Sequence, residues 1–540
     1  MKFKKWVVTL VCNCVIVATL VGCGGSSKQA EVTQVDGEPK KIENFNQENF
    51  PIVNDKIELN IATMQMSLQK DFSEMQMWKD YEEMTNVKIN WTSVPYEFLA
   101  EKRNIMMASA TDLPDAFFKM AFPATDIGNY AEQGLFIKLD DLIDQYGPNI
   151  KKALEEYPDV NSGIRMEDGN IYSLPYIVSA QSPGVGGKIF FDKTVLEATN
   201  QEVPTTIEEF YNVLKGMQGY DLNGNGVDDE IPFGAAKIND IIGALKGAWG
   251  LGTRGGSHAN VDVDPKTGEL RYIPISQEYK EVLMFTKKLY DEKLIDQEIF
   301  TMDTSKMMAK GESGRYLSHT YVNHTNVGQK YQDNQVPLTT ALKGPYGDQL
   351  VPTSSNLGTI GAFVIPKTNK HPEVTMRWID YFYSEEGMRM MFMGKEGVTY
   401  EVTADGKYEF LPEVMENPNG LSYEQALGQY VCYAGGANPS IAGEDYFRGP
   451  AMLPTAVEAA QNLIPFKADV IWPAFVYSKA DNAEMQTLSG DITSYLKEMT
   501  AKFITGKVSF DEWDKYVAEL NKMGLEKYMD IYKRTSEKYE

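Results

Sequence analysis

Apolar and polar residues alternate where the folded part of the chain begins. Residues 56–62 (Lys-Ile-Glu-Leu-Asn-Ile-Ala) follow the two-residue period of a half-buried strand. Met77, Trp78 and Tyr81 then recur at the spacing of one helix face, and residues 87–91 return to the strand period. A strand, a helix and a second strand within this length predict a parallel pair joined by a right-handed crossover.

The same alternation continues through the middle of the chain. Thr206 stands just before Glu208 and Glu209, a pattern typical of a helix start with a threonine N-cap. The predicted elements are strands at residues 116–118 and 188–191 and helices at residues 139–157 and 206–217.

The last third of the chain is mostly helical in pattern. One helix is predicted to begin at His371-Pro372-Glu373, and residues 485–503 and 510–536 continue with core-facing apolar spacing. Together these patterns predict an α/β fold of two lobes, with the chain crossing between them more than once and extra helices at the C-terminal end.

The N-terminus has the layout of an export signal. Lys2, Lys4 and Lys5 precede an uncharged apolar run that ends at Leu20-Val21-Gly22-Cys23. That ending resembles the bacterial lipobox, in which the cysteine receives a diacylglyceryl group and becomes the first residue of the mature protein. We therefore expect lipidation at Cys23, since two acyl chains give stable anchoring. A plain transmembrane anchor is the alternative, but the apolar run is short for one.

Composition divides the remaining chain and sets its expected boundaries. Residues 24–50 are polar and low in apolar content, which is typical of a flexible tether. The expected organisation is a lipoprotein signal peptide at 1–22, a tether at 23–54, lobe 1 at 55–176, lobe 2 at 177–355, a return to lobe 1 at 356–400, and a mixed, mainly helical part at 401–540.

The charge of the chain restricts its partners. The formal net charge is −24, and removing residues 1–22 takes away three lysines and no acid, which makes it −27. A field of that sign repels phosphate backbones and anionic lipid headgroups. We expect no nucleic-acid partner, contact with the membrane only through the lipid anchor, and a monomer.

Cysteine usage excludes an internal disulfide in the mature chain. Of the four cysteines, Cys12 and Cys14 lie in the apolar export segment and Cys23 is the expected lipidation site. Cys432 alone remains, and it is expected to be a small buried residue. An exported protein of this kind must be held together by core burial, which its length permits.

A short segment in the middle of the chain carries the sharpest chemical pattern. Asp221, Asn223 and Asn225 place oxygen side chains at alternate positions, with Gly226 at the sharp bend and the Val227 carbonyl next in line. This spacing matches the start of an EF-hand calcium loop. Position 12 is Pro232 rather than a bidentate glutamate, so Asp229 and Glu230 would have to close the shell. The alternative is an Asn-Gly turn with solvated carboxylates.

Patterns typical of enzymes are not evident. His258, His319, His324 and His371 are scattered without metalloprotease spacing, and Ser313 lacks the nucleophile-elbow pattern. A pair of catalytic carboxylates remains possible because acids are abundant. We expect a protein that is not an enzyme.

A diacylated, exported α/β chain without disulfides or catalytic motifs resembles the family 1 extracellular solute-binding lipoproteins of ABC sugar importers, and more narrowly the group of alginate-oligosaccharide-binding proteins. The resemblance covers the mature chain. It is carried by residues 204–210 leading into residues 221–232, and by Tyr381-Phe-Tyr-Ser-Glu-Glu-Gly387, Glu396-Gly-Val-Thr-Tyr400, and Phe503-Ile-Thr-Gly506 before Trp513.

The resemblance implies both a fold and a metal. The family fold is periplasmic-binding-protein-like, with two α/β lobes, a hinge, and solute held in the cleft between them for delivery to a membrane permease. The implied calcium ligands are Asp221, Asn223, Asn225, Val227, Asp229 and Glu230. The implied location is the outer face of the cell membrane, and we expect a bacterium with a single membrane.

Loop aromatics outside helical stripes, and residues at the end of the first strand, are the candidate ligand contacts. Sugars offer C–H faces that stack on aromatic rings and hydroxyls that bond polar side chains. The candidates are Met64, Gln65, Tyr176, Trp249, Tyr321 and Trp472. The expected solute is an oligosaccharide; a peptide or other solute, or a tethered polysaccharide-active enzyme, are the alternatives.

Overall fold

A computed structural model describes residues 42–67, 69–415, 417–419, 421, 423–432 and 436–539. Cys23 and the whole expected signal peptide lie outside these residues. The strands in chain order are β1 (Ile57–Gln65), β2 (Val87–Pro95), β3 (Ala116–Phe122), β4 (Leu174–Val178), β5 (Ile189–Asp192), β6 (Val261–Val263), β7 (Leu270–Tyr272), β8 (Ser318–Thr320), β9 (Gln335–Pro337), β10 (Leu357–Val364), β11 (Tyr400–Val402), β12 (Tyr408–Phe410) and β13 (Ile441–Ala442).

Helices separate most of these strands. They are α1 (Gln76–Thr85), α2 (Leu99–Ala108), α3 (Ala124–Glu132), α4 (Asp140–Tyr146), α5 (Pro148–Glu156), α6 (Pro158–Gly163), α7 (Gln181–Gly184), α8 (Lys193–Ala198), α9 (Ile207–Met217), α10 (Ile238–Leu245), α11 (Gln277–Asp291), α12 (Thr304–Glu312), α13 (Gln329–Gln332), α14 (Pro372–Asp380), α15 (Glu385–Phe392), α16 (Pro412–Met415), α17 (Tyr423–Leu427), α18 (Pro454–Leu463), α19 (Lys479–Ile504), α20 (Trp513–Lys522) and α21 (Leu525–Ser536).

A six-stranded sheet of order β13-β4-β10-β3-β1-β2 organises the first lobe. β1 pairs with β2 in parallel from Ile57 opposite Val87 onwards, which confirms the parallel pair predicted from the sequence. Alternate residues of β1 face opposite sides of this sheet: Leu59 and Ile61 join one buried cluster, whereas Met64 joins another. Both faces of the sheet are therefore covered, as expected of an α/β layer.

A three-stranded sheet of order β8-β5-β9 and a second large apolar cluster form the second lobe. Helix α9 is fixed there by the predicted N-cap, since the Thr206 hydroxyl accepts from the Glu209 amide and the Glu209 carboxylate accepts from the Thr206 amide. Phe210 and Leu214 of this helix are fully buried. The C-terminal helices α19, α20 and α21 pack into the same cluster.

Two of the predicted helices are interrupted. Residues 139–157 form α4 and α5 rather than one helix, because Pro148 cannot donate a backbone hydrogen bond and starts a new helix after Gly147. Residues 510–536 are divided at Gly524, whose φ of 92° ends the first helix before the second begins. Apolar spacing alone runs through both breaks and does not detect them.

Buried histidine links the C-terminal end of the chain to the second lobe. The His258 ring lies between Trp472 and Tyr532, with Nε2 2.8 Å from the Pro473 carbonyl oxygen and Nδ1 in contact with the Tyr532 hydroxyl. Nε2 donates to the carbonyl and Nδ1 accepts from the hydroxyl, which requires the neutral ring. Burial lowers the pKa of His258 to about 4.

Because of His258, we expect the free energy of unfolding of the protein to decrease as the pH falls. Between pH 6.5 and 4 the unfolded chain binds a proton at residue 258 that the folded chain does not, so the free energy of unfolding decreases as pH falls through that window. The loss at pH 5 is roughly 2 kcal/mol for such a shift. Urea unfolding at pH 7 and pH 5 measures it. His258→Gln is expected to shrink the pH-dependent loss, whereas the exposed His371→Gln serves as the control; an equal loss in His258→Gln and wild type would contradict the assignment.

Candidate functional site

A cavity of about 610 Å³ lies between residues of the two lobes. One wall is α3 together with residues 166–172, which belong to the first lobe. The other wall is the segment 476–486, which leads into α19. Val476 joins the first lobe's apolar cluster, whereas Tyr477 and Met485 pack into the second lobe's cluster. A volume of this size is in the range of small-molecule sites.

Other cavities are smaller or differently placed. Cavities of about 410 and 550 Å³ are lined by residues of the first lobe alone. A cavity of about 240 Å³ lies where the chain crosses between the lobes at residues 178–185 and 353–356. The 610 Å³ cavity, hereafter the interlobe cavity, is therefore the largest of these four and has walls from both lobes.

The first wall begins directly after a strand of the large sheet. β3 ends at Phe122, and Pro123 leads into the first turn of α3, so that Asp126 and Asn129 line the interlobe cavity from the carboxyl edge of the sheet. Ligands of open α/β sheets bind at that edge. Ile127, between these two polar residues, is fully buried and holds the helix on the core.

Asp126 is positioned by a buried arginine. Arg103 Nη1 donates to the carbonyl oxygens of Met120 and Ala121, both at 2.9 Å, and its guanidinium lies over the Phe122 ring. Arg103 Nη2 is 3.6 Å from Asp126 Oδ2. Burial raises the pKa of Asp126, and the nearby guanidinium offsets part of that rise.

Two tyrosines supply aromatic surface to the same cavity. Tyr172 is buried, and its hydroxyl donates to Asp168 Oδ2 at 2.7 Å. Burial and this hydrogen bond raise the pKa of Tyr172 to about 12, so the phenol is neutral at physiological pH. Tyr477 is partly exposed on the opposite wall, where burial raises its pKa as well. Neutral phenol rings are suited to stacking against apolar ligand faces.

An ion pair joins the two walls at the rim. Lys479 Nζ of α19 lies 3.1 Å from Glu132 Oε2 of α3, and both side chains are more than half exposed. Exposed ion pairs of this kind contribute about 0–1 kcal/mol to the free energy of unfolding. Asn482 and Gln486 extend the second wall with amide groups.

The six residues proposed from the sequence as ligand contacts are all described by the structure, and none of them lines the interlobe cavity. Trp249, Trp472 and Met64 are buried in apolar clusters, with 4%, 1% and 1% of their surface exposed, and Tyr176 is buried at 8%. Gln65 at the end of β1 and Tyr321 after β8 are partly exposed. Their role in binding stays a prediction, but four of the six serve packing in this structure.

Local contacts explain why these loop aromatics are buried. The Trp472 ring lies against His258 and Phe475, with the Arg254 guanidinium over its face. Trp249 packs against Phe285 of α11. Trp249 ends a short 3-10 helix and Trp472 lies in a loop, and both segments pack on the second lobe's core, so neither ring is exposed.

The cavity residues Asp126, Asn129, Tyr477 and Asn482 were not identified from the sequence. A signal existed for the first two: they follow the carboxyl end of β3, the same kind of edge from which Met64 and Gln65 were chosen. No local pattern marks Tyr477 and Asn482, because their placement depends on packing between segments about 350 residues apart.

The acidic loop at residues 221–230 folds as a series of side-chain-capped turns. Asp221 Oδ1 accepts from the Gly224 and Asn225 amides at 2.8 and 3.1 Å, and Oδ2 accepts from the Gly226 amide at 2.9 Å. Gly224 and Gly226 both have positive φ, near 74° and 73°. Asn223 Oδ1 and Asn225 Oδ1 likewise accept from the Asn225 and Val227 amides, so side chains at alternate positions cap successive turns of the loop.

The side chains of this loop suit a hard cation. Burial raises the pKa of Glu230, and the nearby Asp221 and Asp229 carboxylates add smaller contributions to that rise. Arg315 Nε, 3.2 Å from Asp229 Oδ2, offsets part of this charge. Within the described residues no group of three or more His, Cys, Asp or Glu side chains is arranged to hold a metal by itself. The loop's donor set also needs its two asparagines and a backbone carbonyl, and oxygen donors of that kind fit calcium.

Among the described residues, no helix is sufficiently long and apolar to cross a bilayer.

Two proteins of known binding function are similar to this chain in sequence. The fructooligosaccharide ABC transporter substrate-binding protein FusA of Streptococcus pneumoniae serotype 4 (strain ATCC BAA-334 / TIGR4) is 28% identical over 564 residues, covering 100% of this chain and 99% of the relative. The polygalacturonan/rhamnogalacturonan-binding protein YtcQ of Bacillus subtilis (strain 168) is 27% identical over 339 residues, covering 61% of this chain and 64% of the relative.

Solved structures agree with the fold. FusA of S. pneumoniae in complex with kestose has a TM-score of 0.71 at 26% identity, covering 89% of this chain and 99% of that chain. A second structure of the same protein, an EF-hand mutant in complex with fructo-nystose, has the same TM-score and identity. The predicted two-lobe α/β fold is confirmed.

A family model described as bacterial extracellular solute-binding protein matches residues 76–416, which include the six-stranded sheet's β3, β4 and β10 and the whole acidic loop. The chain belongs to the bacterial extracellular solute-binding protein family.

Proposed function

We propose that this protein captures an oligosaccharide in the interlobe cavity and delivers it to the permease of an ABC transporter. The observation that carries the proposal is a cavity whose two walls come from different lobes and present amides, carboxylates and tyrosine rings. Carboxylates and amides bond sugar hydroxyls, and phenol rings stack on C–H faces. FusA, similar over the full length of the chain, is a fructooligosaccharide-binding protein.

The mechanism follows from the two walls. Asn129 and Asn482 lie on opposite sides of the cavity, so a ligand that contacts both stabilises the arrangement in which the lobes are together. Lobe closure is then a population shift that the solute drives by its differential contacts. The permease would recognise the loaded form.

Titration calorimetry with the mature chain and a panel of fructo-, malto-, galacto- and xylo-oligosaccharides tests this function. We expect one-to-one binding of at least one of them, without any change in the sugar. Release of smaller sugars in proportion to protein would favour the tethered enzyme, and binding of peptides alone would favour a different solute.

The acidic loop is proposed to hold calcium. The ligands would be the side chains of Asp221, Asn223, Asn225, Asp229 and Glu230 and the carbonyl oxygen of Val227. The turns capped by Asp221, Asn223 and Asn225 support this, and a solved structure of FusA is that of an EF-hand mutant. The ion would neutralise the converging carboxylates and fix a loop of the second lobe; it takes no part in binding the solute.

Calcium is expected to raise the melting temperature of the protein. A ligand at 100 times its dissociation constant stabilises by about 2.7 kcal/mol. Differential scanning calorimetry in calcium and in excess chelator measures the difference. Asp221→Ala is expected to abolish it, whereas Asp228→Ala, an exposed residue of the same loop outside the proposed ligand set, is expected to retain it. An identical melt in calcium and in chelator would remove the metal proposal.

Anchoring is proposed at Cys23, through a diacylglyceryl group on the mature N-terminus. The tether is proposed to end before Asn44 rather than at residue 54, because Ile52 and Val53 are buried in the first lobe's apolar cluster. This places the two lobes, as a monomer, on the outer face of the cell membrane beside the permease. The boundaries proposed from the sequence at residues 176 and 355 are retained as part of this organisation. The return to the first lobe extends beyond residue 400, because β13 pairs with β4 and Tyr446 joins the first lobe's cluster.

A further inference from the structure

The charges that line the interlobe cavity are unevenly distributed. Four of its lining side chains are carboxylates, from Asp126, Glu132, Glu167 and Asp168, and a single one, Lys479, is a cation. All four carboxylates come from two separate segments of the first lobe's wall, α3 and residues 166–172, and they face a second wall that carries amides, Tyr477 and Lys479.

The one lining cation is already engaged. Lys479 Nζ lies 3.1 Å from Glu132 Oε2, so its charge is offset within the cavity itself. Arg103 does not line the cavity: its side chain is 10% exposed, Nη1 donates to the Met120 and Ala121 carbonyl oxygens, and Nη2 lies 3.6 Å from Asp126 Oδ2, where it offsets part of that carboxylate's charge.

A further lysine serves the outside of the same wall. Lys138 Nζ is 3.5 Å from Asp168 Oδ2, but Lys138 does not line the cavity, and its side chain is 59% exposed. Glu167 is exposed at the cavity and is not part of any ion pair found among the described residues. An anionic ligand would therefore meet the Glu167 carboxylate, which has no ion pair among the described residues, and nearby cations that are each already paired with a lining carboxylate.

The lining carboxylates attract uncharged sugars rather than repel them. Each hydroxyl is a donor as well as an acceptor, and an ionised carboxylate accepts hydrogen bonds that are stronger than those of neutral groups. A uronate carboxylate offers only acceptors at neutral pH, and it would lose hydration while facing like charge. Discrimination between ligands can rest on such a repulsive element.

We infer that the interlobe cavity takes uncharged oligosaccharides and excludes oligosaccharides that carry uronate carboxylates. The inference rests on the proposed function, since it assigns a class of solute to the same cavity. Similarity alone does not decide this, because the relatives include proteins that bind fructooligosaccharide and polygalacturonan.

Calorimetry with two matched panels tests the inference on the intact mature protein. The uncharged panel contains kestose, maltotriose, xylotriose and α-1,4-galactotriose; the acidic panel contains trigalacturonate, trimannuronate and triguluronate. We expect at least one uncharged trisaccharide to bind, and every uronate to bind at least tenfold more weakly than it, which corresponds to about 1.4 kcal/mol. A uronate that binds as tightly as the best uncharged sugar would overturn the inference and leave the proposed function intact. If no member of either panel binds, the proposed function fails, and the inference with it.

Variants of two exposed lining residues test whether the carboxylates cause the discrimination against uronates. Glu132→Gln removes a carboxylate and releases Lys479, and Glu167→Gln removes the carboxylate that has no ion-pair partner. Each is expected to raise trigalacturonate affinity at least threefold, with a smaller change for the uncharged sugar. Glu208→Gln, an exposed residue of α9 away from the cavity, is the control. Unchanged discrimination in both variants would show that these charges do not set the selectivity.

Discussion

Replacing Trp378 by alanine is expected to lower the free energy of unfolding of the first lobe by about 3–5 kcal/mol. Trp378 of α14 is fully buried. Its ring stacks near that of Trp78 at 5.7 Å between centroids and meets the edge of Phe118 at 6.2 Å. The Tyr81 hydroxyl also donates to the Trp378 carbonyl at 2.7 Å. The truncated side chain would leave a cavity between α1, β3 and α14 that rigid aromatic neighbours cannot fill.

Urea unfolding, followed separately by near- and far-UV circular dichroism, measures this cost. Trp378→Phe is the matched control: it keeps an aromatic ring and removes an indole N–H that has no hydrogen-bond partner, so we expect a cost below about 1.5 kcal/mol. If Trp378→Ala lowered the free energy of unfolding by less than about 1 kcal/mol, the packing of α14 would not be a main source of the first lobe's stability.

Replacing Asn129 or Asn482 by alanine is expected to weaken solute binding by roughly tenfold each, because each loses one or two net hydrogen bonds of about 1 kcal/mol. The residues stand on opposite walls, so both losses are expected only if a single ligand bridges the lobes. The double variant is expected to lose about a hundredfold if the contributions add.

Calorimetric titration with the tightest-binding sugar of the panel compares these variants. Asn521→Ala, an exposed residue of α20 outside the cavity, is the control and should keep the wild-type dissociation constant. If only one of the two cavity variants lost affinity, the solute would contact a single lobe, and the closure mechanism would not follow.

Local sequence patterns predicted the elements of the fold but not all of their ends. The parallel pair of β1 and β2 and the capping box of α9 depend on residues close together in sequence, and both are confirmed. The breaks before Pro148 and at Gly524 were missed, because apolar periodicity continues through them while backbone chemistry does not.

The residues that line the interlobe cavity are harder to predict from the sequence than the elements of the fold. An aromatic residue in a predicted loop indicates a ligand contact only if the ring is exposed, and its burial depends on what packs over the loop. Trp472 illustrates this: its ring is covered by His258 and Arg254, which lie more than 200 residues earlier in the chain. Asp126 and Asn129 follow directly from the strand-edge rule once the end of β3 is known.

A crystal structure of the mature protein with its tightest-binding oligosaccharide tests the central claim most directly. We expect the sugar between α3 and the start of α19, with hydroxyls within hydrogen-bond distance of both Asn129 and Asn482 and a ring against Tyr477. A sugar bound instead at a surface of one lobe alone, with the interlobe cavity free of it, would contradict the claim that solute is held between the lobes.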